Sequence, residues 1–249
     1  MSTSRRDFAK KIITASAGFS LQSFADGFAG NKPAPKMKIV CVGGHPDDPE
    51  SGCGGTLAMF ASRGHDVTII YLTRGEAGID GKSHDEAASI RTKEAIAACK
   101  ILNAKPIFAG QTDGAGMVDN EWVAKMQSLI NEEKPDIVFT HWPIDSHKDH
   151  QCASLLTIQA WIRNGKNFAL YFFEVCTGSQ TTGFKPTDYI NISATREQKR
   201  QSVYCHVSQN PDSIYHSASC NHEQMENFRG IEMNANAAEA FVRMSNEFA

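Results

Sequence analysis

The chain has 249 residues, of which 41% are hydrophobic and 21% are charged, and its formal net charge at pH 7 is −3. This length suffices to bury a core as one large domain or two small ones. The charge excludes a strongly basic nucleic-acid binder, and the hydrophobic fraction excludes a disordered acidic chain. No apolar run reaches the roughly 18 residues of a spanning helix, so a transmembrane segment is excluded as well.

The seven cysteines are scattered along the chain and include no C-x-x-C pair. An odd, scattered set is more typical of small core residues than of a disulfide framework or a zinc knuckle. We therefore expect free, buried thiols.

The first 29 residues have the layout of an export signal, with two arginines and two lysines ahead of a mildly apolar, Ser- and Ala-rich stretch. The run SRRDFAK at 4–10 resembles the twin-arginine export signal, which implies a periplasmic protein. An amphipathic helix packed on the domain is the alternative. Without residues 1–29 the chain has 25 − 4 = 21 basic and 28 − 2 = 26 acidic residues, a net charge of −5.

From residue 37 onward, apolar runs of strand length alternate with amphipathic stretches. Strands are predicted at 37–42, 66–72, 105–108, 136–140, 170–175 and 189–192. Helices are predicted at 54–63, from a capping box at Ser83 and Glu86 to 102, and at 120–133, 150–163 and 195–205. A further helix and strand are expected after His222.

This alternation predicts a single α/β domain: a Rossmann-like, doubly wound, mostly parallel sheet with helices on both faces. The predicted organisation is an export signal at 1–29, a linker at 30–36 and a catalytic domain at 37–249. With the common strand order 3-2-1-4-5, the first and fourth strands are neighbours at the switch point where ligands bind.

Two polar clusters follow the first and fourth predicted strands, GGHPDDPE at 43–50 and HWPIDSHKDH at 141–150. At neighbouring strand ends they would meet in one crevice. Imidazole and carboxylate are the ligands that zinc accepts besides thiolate. The clusters therefore predict a metal site with His45 and Asp48, completed by His147 or His150. Asp47 is placed to take a proton from a metal-bound water.

Each cluster also has simpler interpretations. Glycines after a strand can open a phosphate loop, but no G-x-G-x-x-G run follows, which disfavours a dinucleotide site. Taken singly, His45 or His141 would more often be structural, and Asp145 or Asp149 could cap a helix. The joint occurrence of both clusters at two strand ends favours the metal site.

At these residues the sequence resembles the PIG-L/LmbE family of metal-dependent de-N-acetylases. The family pattern is a strand ending in [AG]-H-P-D-D-x-E and a later H-x-D-H; GHPDD at 44–48 and HKDH at 147–150 match it. Pro49 stands at the variable position of the first motif, and Glu50 at its acidic position. Further similar motifs are GGTL at 54–57, TRGE at 73–76, R-x-x-E at 91–94 and H-x-S-Q at 206–209, so the resemblance covers nearly all of 37–245.

The resemblance implies a zinc-dependent hydrolase that removes the acetyl group of an N-acetylglucosamine-type sugar or glycoconjugate. It implies that His45, Asp48 and His150 bind one Zn²⁺ per chain. Asp47 would be the general base, and its proton acceptance would activate the attacking water.

Two further catalytic roles follow from the same resemblance. His147 would face the developing oxyanion as a cationic donor. Asp149 would lie behind His147, hold its orientation and raise its pKa.

Three residues are candidates for substrate binding: Arg74, Asp113 and His206. Their alternatives are a solvated salt bridge for Arg74, a turn-shaping role for Asp113 and a helix-capping role for His206.

Several questions stay open at the level of sequence. The His₂Asp donor set suits Fe²⁺ nearly as well as Zn²⁺. A non-catalytic glycan-binding module, a deacylase of an N-acyl thiol conjugate and a nucleotide-binding oxidoreductase are alternatives. The substrate is expected to be a small or oligomeric N-acetylated sugar, selected by loops near 75–84, 110–119 and 176–188. The sequence is compatible with an oligomer.

Overall fold

A computed structural model describes residues 35–245 of the chain. The predicted export signal at 1–29 and most of the predicted linker at 30–36 lie outside these residues. Within 35–245, no helix combines the length and the apolar character needed to cross a membrane.

Seven strands form one sheet in the order β3-β2-β1-β4-β5-β7-β6. The order confirms the predicted 3-2-1-4-5 arrangement and adds two C-terminal strands at one edge. Both antiparallel pairs among the described strands involve β7, which pairs with β5 and with β6. The bounds are β1 Lys38–Gly43, β2 Asp66–Tyr71, β3 Lys105–Phe108, β4 Ile137–His141, β5 Ala169–Phe173, β6 Asp188–Asn191 and β7 Ala238–Arg243.

Helices connect the strands and cover both faces of the sheet, which confirms a single α/β domain. Their bounds are α1 Asp48–Ser62, α2 His84–Ile101, α3 Asn120–Glu133, α4 Lys148–Arg163, α5 Arg196–Val203, α6 Pro211–Tyr215 and α7 His222–Met233, with a 3₁₀ turn at Val207–Gln209.

The core has two layers because successive side chains of each buried strand point to opposite faces. Ile39 and Cys41 of β1 join a cluster with α1 and α2, whereas Val40 and Val42 join a cluster with α3 and α4. All four side chains are almost completely buried. This two-sided burial explains why the strands are continuous apolar runs without polar alternation.

The fold places the two polar clusters side by side. β1 and β4 are paired in parallel, with Val42 opposite Thr140, so their carboxyl ends lie at the same edge of the sheet. From here the chain continues to β2 on one side and to β5 on the other, which is the switch point of a doubly wound sheet.

Helix α1 begins at Asp48, six residues earlier than predicted. The helix contains glycines at 52, 54 and 55, although glycine weakens a helix interior. Here they permit close packing: a Cβ on Gly55 would lie 2.8 Å from the side chain of Ile192. Pro49 occupies the first turn, where its missing N–H costs nothing, and Glu50 accepts from the N–H of Asp47.

The expectation of free thiols is correct for most cysteines and wrong for two. Free and buried thiols are found at Cys41, Cys53, Cys99 and Cys152, and a half-buried one at Cys205. Cys176 and Cys220 form a disulfide across 44 positions. They lie in loops after β5 and before α7, where no core layer is available to bury a free thiol.

Candidate metal centre and active site

Three predicted ligands, His45, Asp48 and His150, converge at the carboxyl ends of β1 and β4. His45 Nδ1 lies 3.1 Å from one carboxylate oxygen of Asp48, and His150 Nε2 lies 3.2 Å from the other. Donor atoms that share a tetrahedral zinc ion with bonds of about 2.0–2.1 Å lie roughly 3.3 Å apart. All three side chains are buried. Donor atoms within 4.8 Å of one another are offered at this edge by His45, His147 and His150, and by Asp48, His141 and His150, so the cluster as a whole fits a divalent metal ion.

Local structure accounts for this convergence. His45 lies in the turn between β1 and α1, Asp48 opens α1, and His150 lies in the first turn of α4. Gly44 lets the backbone pass close to the ligands, because a Cβ there would lie 2.9 Å from the His150 ring and 3.2 Å from Asp48. Glycine at this position thus avoids close contacts with the ligands in this chain.

The charge balance of the site also favours a cation. Burial lowers the pKa of His150, but Asp48 and Asp145 outweigh it and raise the pKa to about 9. Burial acts the same way on His45, whose pKa is nevertheless raised well above its ordinary value by Asp113, Asp149 and Asp48. Without a metal ion, protonated histidines balance these carboxylates. A divalent cation would supply that charge instead.

Asp47 lies beside the ligands in an unusual backbone conformation, with φ at +108°. Burial raises the pKa of its carboxyl group to about 6, against the lowering effect of Arg91. The Nη2 atom of Arg91 lies 3.1 Å from Asp47 Oδ2 and donates to the carbonyl oxygen of Pro46 at 2.6 Å. Backbone strain of this kind persists where surrounding contacts fix the residue, and it occurs often at functional sites.

His147 faces the same space, with its ring centroid 4.6 Å from those of His45 and His150. Within residues 35–245, the His147 ring does not make the expected contact with the Asp149 carboxylate. Instead, His147 Nδ1 accepts from the backbone N–H of Asp149 at 3.3 Å. Burial and the neighbouring His45 and His150 lower the pKa of His147, although Asp149 acts to raise it. Asp149 thus acts in the expected direction but is outweighed by burial and the two neighbouring histidines.

The Asp149 carboxylate is instead held against the ligand His45. Its Oδ2 lies 3.2 Å from His45 Nε2 and accepts from Gly114 N at 2.7 Å, while Oδ1 accepts from Gly116 N at 3.1 Å. These contacts fix the glycine-rich loop after β3 to the metal centre. A hydrogen-bonded carboxylate behind a ligating imidazole orients it.

The predicted substrate residues are placed in three different environments. Asp113 joins the site: Oδ1 lies 3.1 Å from His45 Nε2, and Oδ2 accepts from Ala77 N at 3.0 Å. Arg74 is exposed on the loop after β2. His206 is fully buried, with Nε2 3.2 Å from Oε1 of Glu50.

The buried pair of Glu50 and His206 lies behind Asp47. Glu50 Oε1 also accepts from the hydroxyl of Tyr71 at 2.5 Å. Burial lowers the pKa of His206, but the facing carboxylate of Glu50 outweighs it and raises the pKa. The acidic residue of the first motif therefore has a definite partner in this chain.

Sequence reasoning left three residues of the site without a role: Arg91, His141 and Asp145. His141 Nε2 accepts from Gly44 N at 3.0 Å, and its ring stacks on His150 with centroids 4.1 Å apart. Asp145 Oδ1 lies 3.2 Å from His150 Nδ1. The sequence showed that these residues lie in the second polar cluster and in the R-x-x-E motif. It did not show which side chains they contact.

Comparison with known protein families gives a match to this site. A family model described as PIG-L, GlcNAc-PI de-N-acetylase, matches residues 40–161 and so includes both polar clusters.

Curated proteins extend the likeness over most of the chain. Diacetylchitobiose deacetylase of Thermococcus kodakarensis is 32% identical over 203 residues, covering 76% of this chain and 76% of that protein. The 1D-myo-inositol 2-acetamido-2-deoxy-alpha-D-glucopyranoside deacetylase of Mycobacteroides abscessus is 29% identical over 176 residues, covering 59% of this chain and 63% of that protein. The match thus spans less than two thirds of the latter.

Solved structures share the fold. N,N'-diacetylchitobiose deacetylase from Pyrococcus horikoshii superposes with a TM-score of 0.77 at 22% identity, covering 98% of this chain and 94% of that chain. GalB, the 4-carboxy-2-hydroxymuconate hydratase of Pseudomonas putida, has a TM-score of 0.74 at 20% identity, covering 86% and 98%. At these identities the likeness shows the fold alone, and the fold supports more than one reaction.

Proposed function

The chain belongs to the GlcNAc-PI de-N-acetylase (PIG-L) family, and on this premise we propose that it is a metal-dependent hydrolase. It removes the acetyl group of an N-acetylglucosamine-type sugar or glycoconjugate by breaking the linear amide C–N bond. A hydratase shares the fold, so the fold does not decide between the reactions. The 32% identity to a diacetylchitobiose deacetylase favours deacetylation.

One observation carries the proposal. At one edge of the sheet, His45 Nδ1 lies 3.1 Å from one carboxylate oxygen of Asp48 and His150 Nε2 lies 3.2 Å from the other, within a cluster of candidate metal donors. The adjacent carboxylate of Asp47 contacts Arg91 and is left over from that set. A binding module with a structural metal would need the donors but not the extra carboxylate.

The reaction assigns a distinct task to each residue. When bound, Zn²⁺ or a similar divalent ion supplies Lewis acidity to the acetamide carbonyl and to water. Asp47 accepts the proton of the attacking water, and Arg91 keeps its carboxylate in place. His147 donates to the developing oxyanion from Nε2, because its Nδ1 accepts from Asp149 N. The C–N bond of the tetrahedral adduct then breaks, which releases acetate and the amine. The proton held by Asp47 passes to the amine nitrogen.

Substrate recognition is assigned to the loops around the centre. Asp113 bridges the loops after β2 and β3 and can accept from a sugar hydroxyl with its remaining lone pairs. Arg74 presents an exposed guanidinium on the first of these loops, where it can bind hydroxyls or an anionic group. His206 lies behind Asp47 and influences it through the side chain of Glu50, which His206 contacts.

Acetate release tests the proposal. Metal-analysed protein is incubated with N,N'-diacetylchitobiose, N-acetylglucosamine, an N-acetylglucosaminyl inositol and an N-acetylated thiol conjugate, with and without EDTA. We expect acetate from at least one sugar, loss of activity in EDTA and recovery with Zn²⁺; Fe²⁺ under argon tests the alternative metal. Acetate from the thiol conjugate alone would instead favour the deacylase of that class. Absence of acetate from every substrate at full metal loading would contradict the proposal.

We further propose that residues 1–29 direct export to the periplasm by the twin-arginine route. The support is the SRRDFAK run at 4–10. Fractionation of cells that express the full chain and the Arg5→Lys/Arg6→Lys variant tests this. The wild-type protein should accumulate in the periplasm and the variant in the cytoplasm.

A further inference from the structure

We propose that a disulfide-locked loop positions the metal ligand His150 and makes deacetylase activity depend on thiol redox state. The loop comprises residues 175–182 and is called the strap below. The inference rests on the proposed function and deepens it by adding a positioning residue, Asp145, and a form of regulation.

Asp145 is the point where the strap meets the metal centre. Its Oδ1 accepts from the backbone N–H of His147 at 2.7 Å and lies 3.2 Å from His150 Nδ1. Its Oδ2 accepts from the hydroxyl of Thr181 at 3.1 Å. The Asp145 side chain is fully buried, so its orientation depends on these partners. A carboxylate behind a ligating imidazole fixes the orientation of the ring.

Thr181 in turn depends on the shape of the strap. Its hydroxyl oxygen accepts from Val175 N at 3.0 Å, so one side chain connects the start of the strap to Asp145. Thr181 forms an isolated antiparallel bridge with Asp145. Ser146 N donates to Gln180 O at 3.1 Å, and Thr182 N donates to Ile144 O at 3.1 Å. The strap therefore pairs with the 144–146 turn through its backbone.

Apolar burial holds the start of the strap, where Val175 is buried in the core, but not its middle. Residues 177–179 are exposed, whereas Thr181 is 1% exposed. The Cys176–Cys220 disulfide ties the strap to the segment before α7. A hydrogen bond from Ser179 Oγ to Ser219 O, at 2.5 Å, adds to this link. After removal of the covalent link, the strap keeps its pairing with the 144–146 turn, the hydrogen bond from Trp142 Nε1 to Thr182 O and the buried side chain of Val175.

The disulfide is accessible to redox partners, because Cys176 and Cys220 are both half-buried. Formation of the disulfide from two thiols is a two-electron oxidation, for which oxidised glutathione is the oxidant. One cysteine thiolate attacks the glutathione disulfide and releases one glutathione thiolate. The second cysteine thiolate then attacks the mixed disulfide and releases another. Two electrons pass from the protein thiols to glutathione, and the two thiol protons end on the released glutathione.

The first test compares oxidised and reduced zinc-loaded wild-type protein. One sample is treated with oxidised glutathione and the other with a phosphine reductant, and peptide mass spectrometry records the state of Cys176 and Cys220. Two readouts follow: the rate of zinc loss to a chromogenic chelator, and acetate release from N,N'-diacetylchitobiose. We expect zinc loss to rise and kcat to fall by about 10-fold on reduction, since contacts behind a metal ligand typically change affinity or activity by 10–100-fold.

Variants separate the hydroxyl contact from general loosening. Thr181→Val keeps the disulfide and the side-chain shape but removes the donor to Asp145, whereas Thr181→Ser keeps the hydroxyl. We expect Thr181→Val to reproduce the reduced phenotype and Thr181→Ser to match the oxidised wild type. Cys176→Ser/Cys220→Ser should behave like the reduced protein, and Cys205→Ser is the matched control with no expected effect.

The outcomes distinguish the two proposals. If oxidised wild-type protein releases no acetate from any substrate while zinc loss still depends on redox state and on Thr181, the proposed function fails and the positioning role stands. Equal zinc loss and equal acetate release in oxidised and reduced protein, together with a wild-type-like Thr181→Val, would overturn the inference.

Discussion

The guanidinium of Arg91 holds the carboxylate of Asp47, with 3.1 Å between Nη2 and Oδ2. The same nitrogen donates to the carbonyl oxygen of Pro46, and Nη1 donates to that of Gly75. Arg91 is 3% exposed, so these contacts are shielded from solvent. One side chain thus fixes both the backbone and the carboxylate of the residue that we assign as the general base.

Replacement of Arg91 should therefore impair the reaction without loss of the metal. We expect Arg91→Met to lower kcat by about 10²-fold, the typical cost of a misplaced reacting group. Arg91→Lys should recover part of this loss, because lysine keeps the charge but not the two-pronged contact. Steady-state acetate release and zinc content are measured together. Lys93→Met on the exposed face of the same helix is the control; zinc loss in Arg91→Met would indicate a ligand-related role instead.

The ligand set makes a prediction that distinguishes two neighbouring histidines. His150 Nε2 lies 3.2 Å from Asp48 Oδ1, whereas His141 Nε2 already accepts from Gly44 N at 3.0 Å. We expect His150→Gln to bind zinc at least 10-fold more weakly and His141→Gln to keep one zinc per chain. Zinc titration with a competing chelator gives both values. Retention by His150→Gln and loss by His141→Gln would move the site toward His141.

A buried ionic cluster of Lys199, Glu226 and Glu239 should contribute strongly to the stability of the fold. Lys199 Nζ lies 2.8 Å from Glu239 Oε1 and 3.3 Å from Glu226 Oε1, and all three side chains are nearly inaccessible. Lys199→Met leaves the buried carboxylate of Glu239 without its cation, whereas Glu226 keeps Arg196 at 2.9 Å. Loss of one partner of a buried ion pair typically costs about 3–5 kcal/mol. Urea unfolding of the zinc-loaded protein measures the loss, with exposed Gln201→Met as the control. A loss below about 1 kcal/mol would contradict this assignment.

His222 predicts how stability responds to acid. Burial lowers the pKa of this histidine to about 3, whereas its ordinary value is 6.5. Below pH 6.5 the unfolded chain binds a proton that the folded chain does not. The free energy of unfolding therefore decreases as the pH is lowered below 6.5. This group contributes up to about 1.4 kcal/mol per pH unit to the decrease.

The matched variant is His222→Gln, which cannot titrate. Urea unfolding between pH 7 and pH 4.5 should show a shallower slope for the variant than for the wild type. Identical slopes would mean that His222 does not contribute this term.

Much of the fold was predictable because its signals are local. The buried strands β1 and β4 are apolar runs, and the α2 capping box is visible in Ser83 and Glu86, whose mutual hydrogen bonds the structure confirms. Strand alternation then placed 43–50 beside 141–150 through the switch-point rule. Helix α1 was predicted to begin at 54, whereas it begins at Asp48.

The remaining parts of the site depend on pairings between distant residues. Arg91 reaches Asp47 across 44 positions, and Thr181 reaches Asp145 across 36. The disulfide likewise joins two loops that no periodic pattern brings together. The family resemblance placed Asp149 behind His147, but the start of α4 turns its carboxylate toward His45. Side-chain direction at a helix terminus is set by the turn, which spacing alone does not specify.

The central claim is that Asp47 is the general base of a metal-dependent deacetylase, and the Asp47→Asn variant tests it most directly. Asparagine keeps the size of the side chain but cannot accept the proton of the attacking water. With one zinc per chain in both proteins, the account predicts that acetate release from the best N-acetylated sugar falls by about 10²–10⁴-fold. Release at the wild-type rate by a fully zinc-loaded Asp47→Asn protein would contradict it.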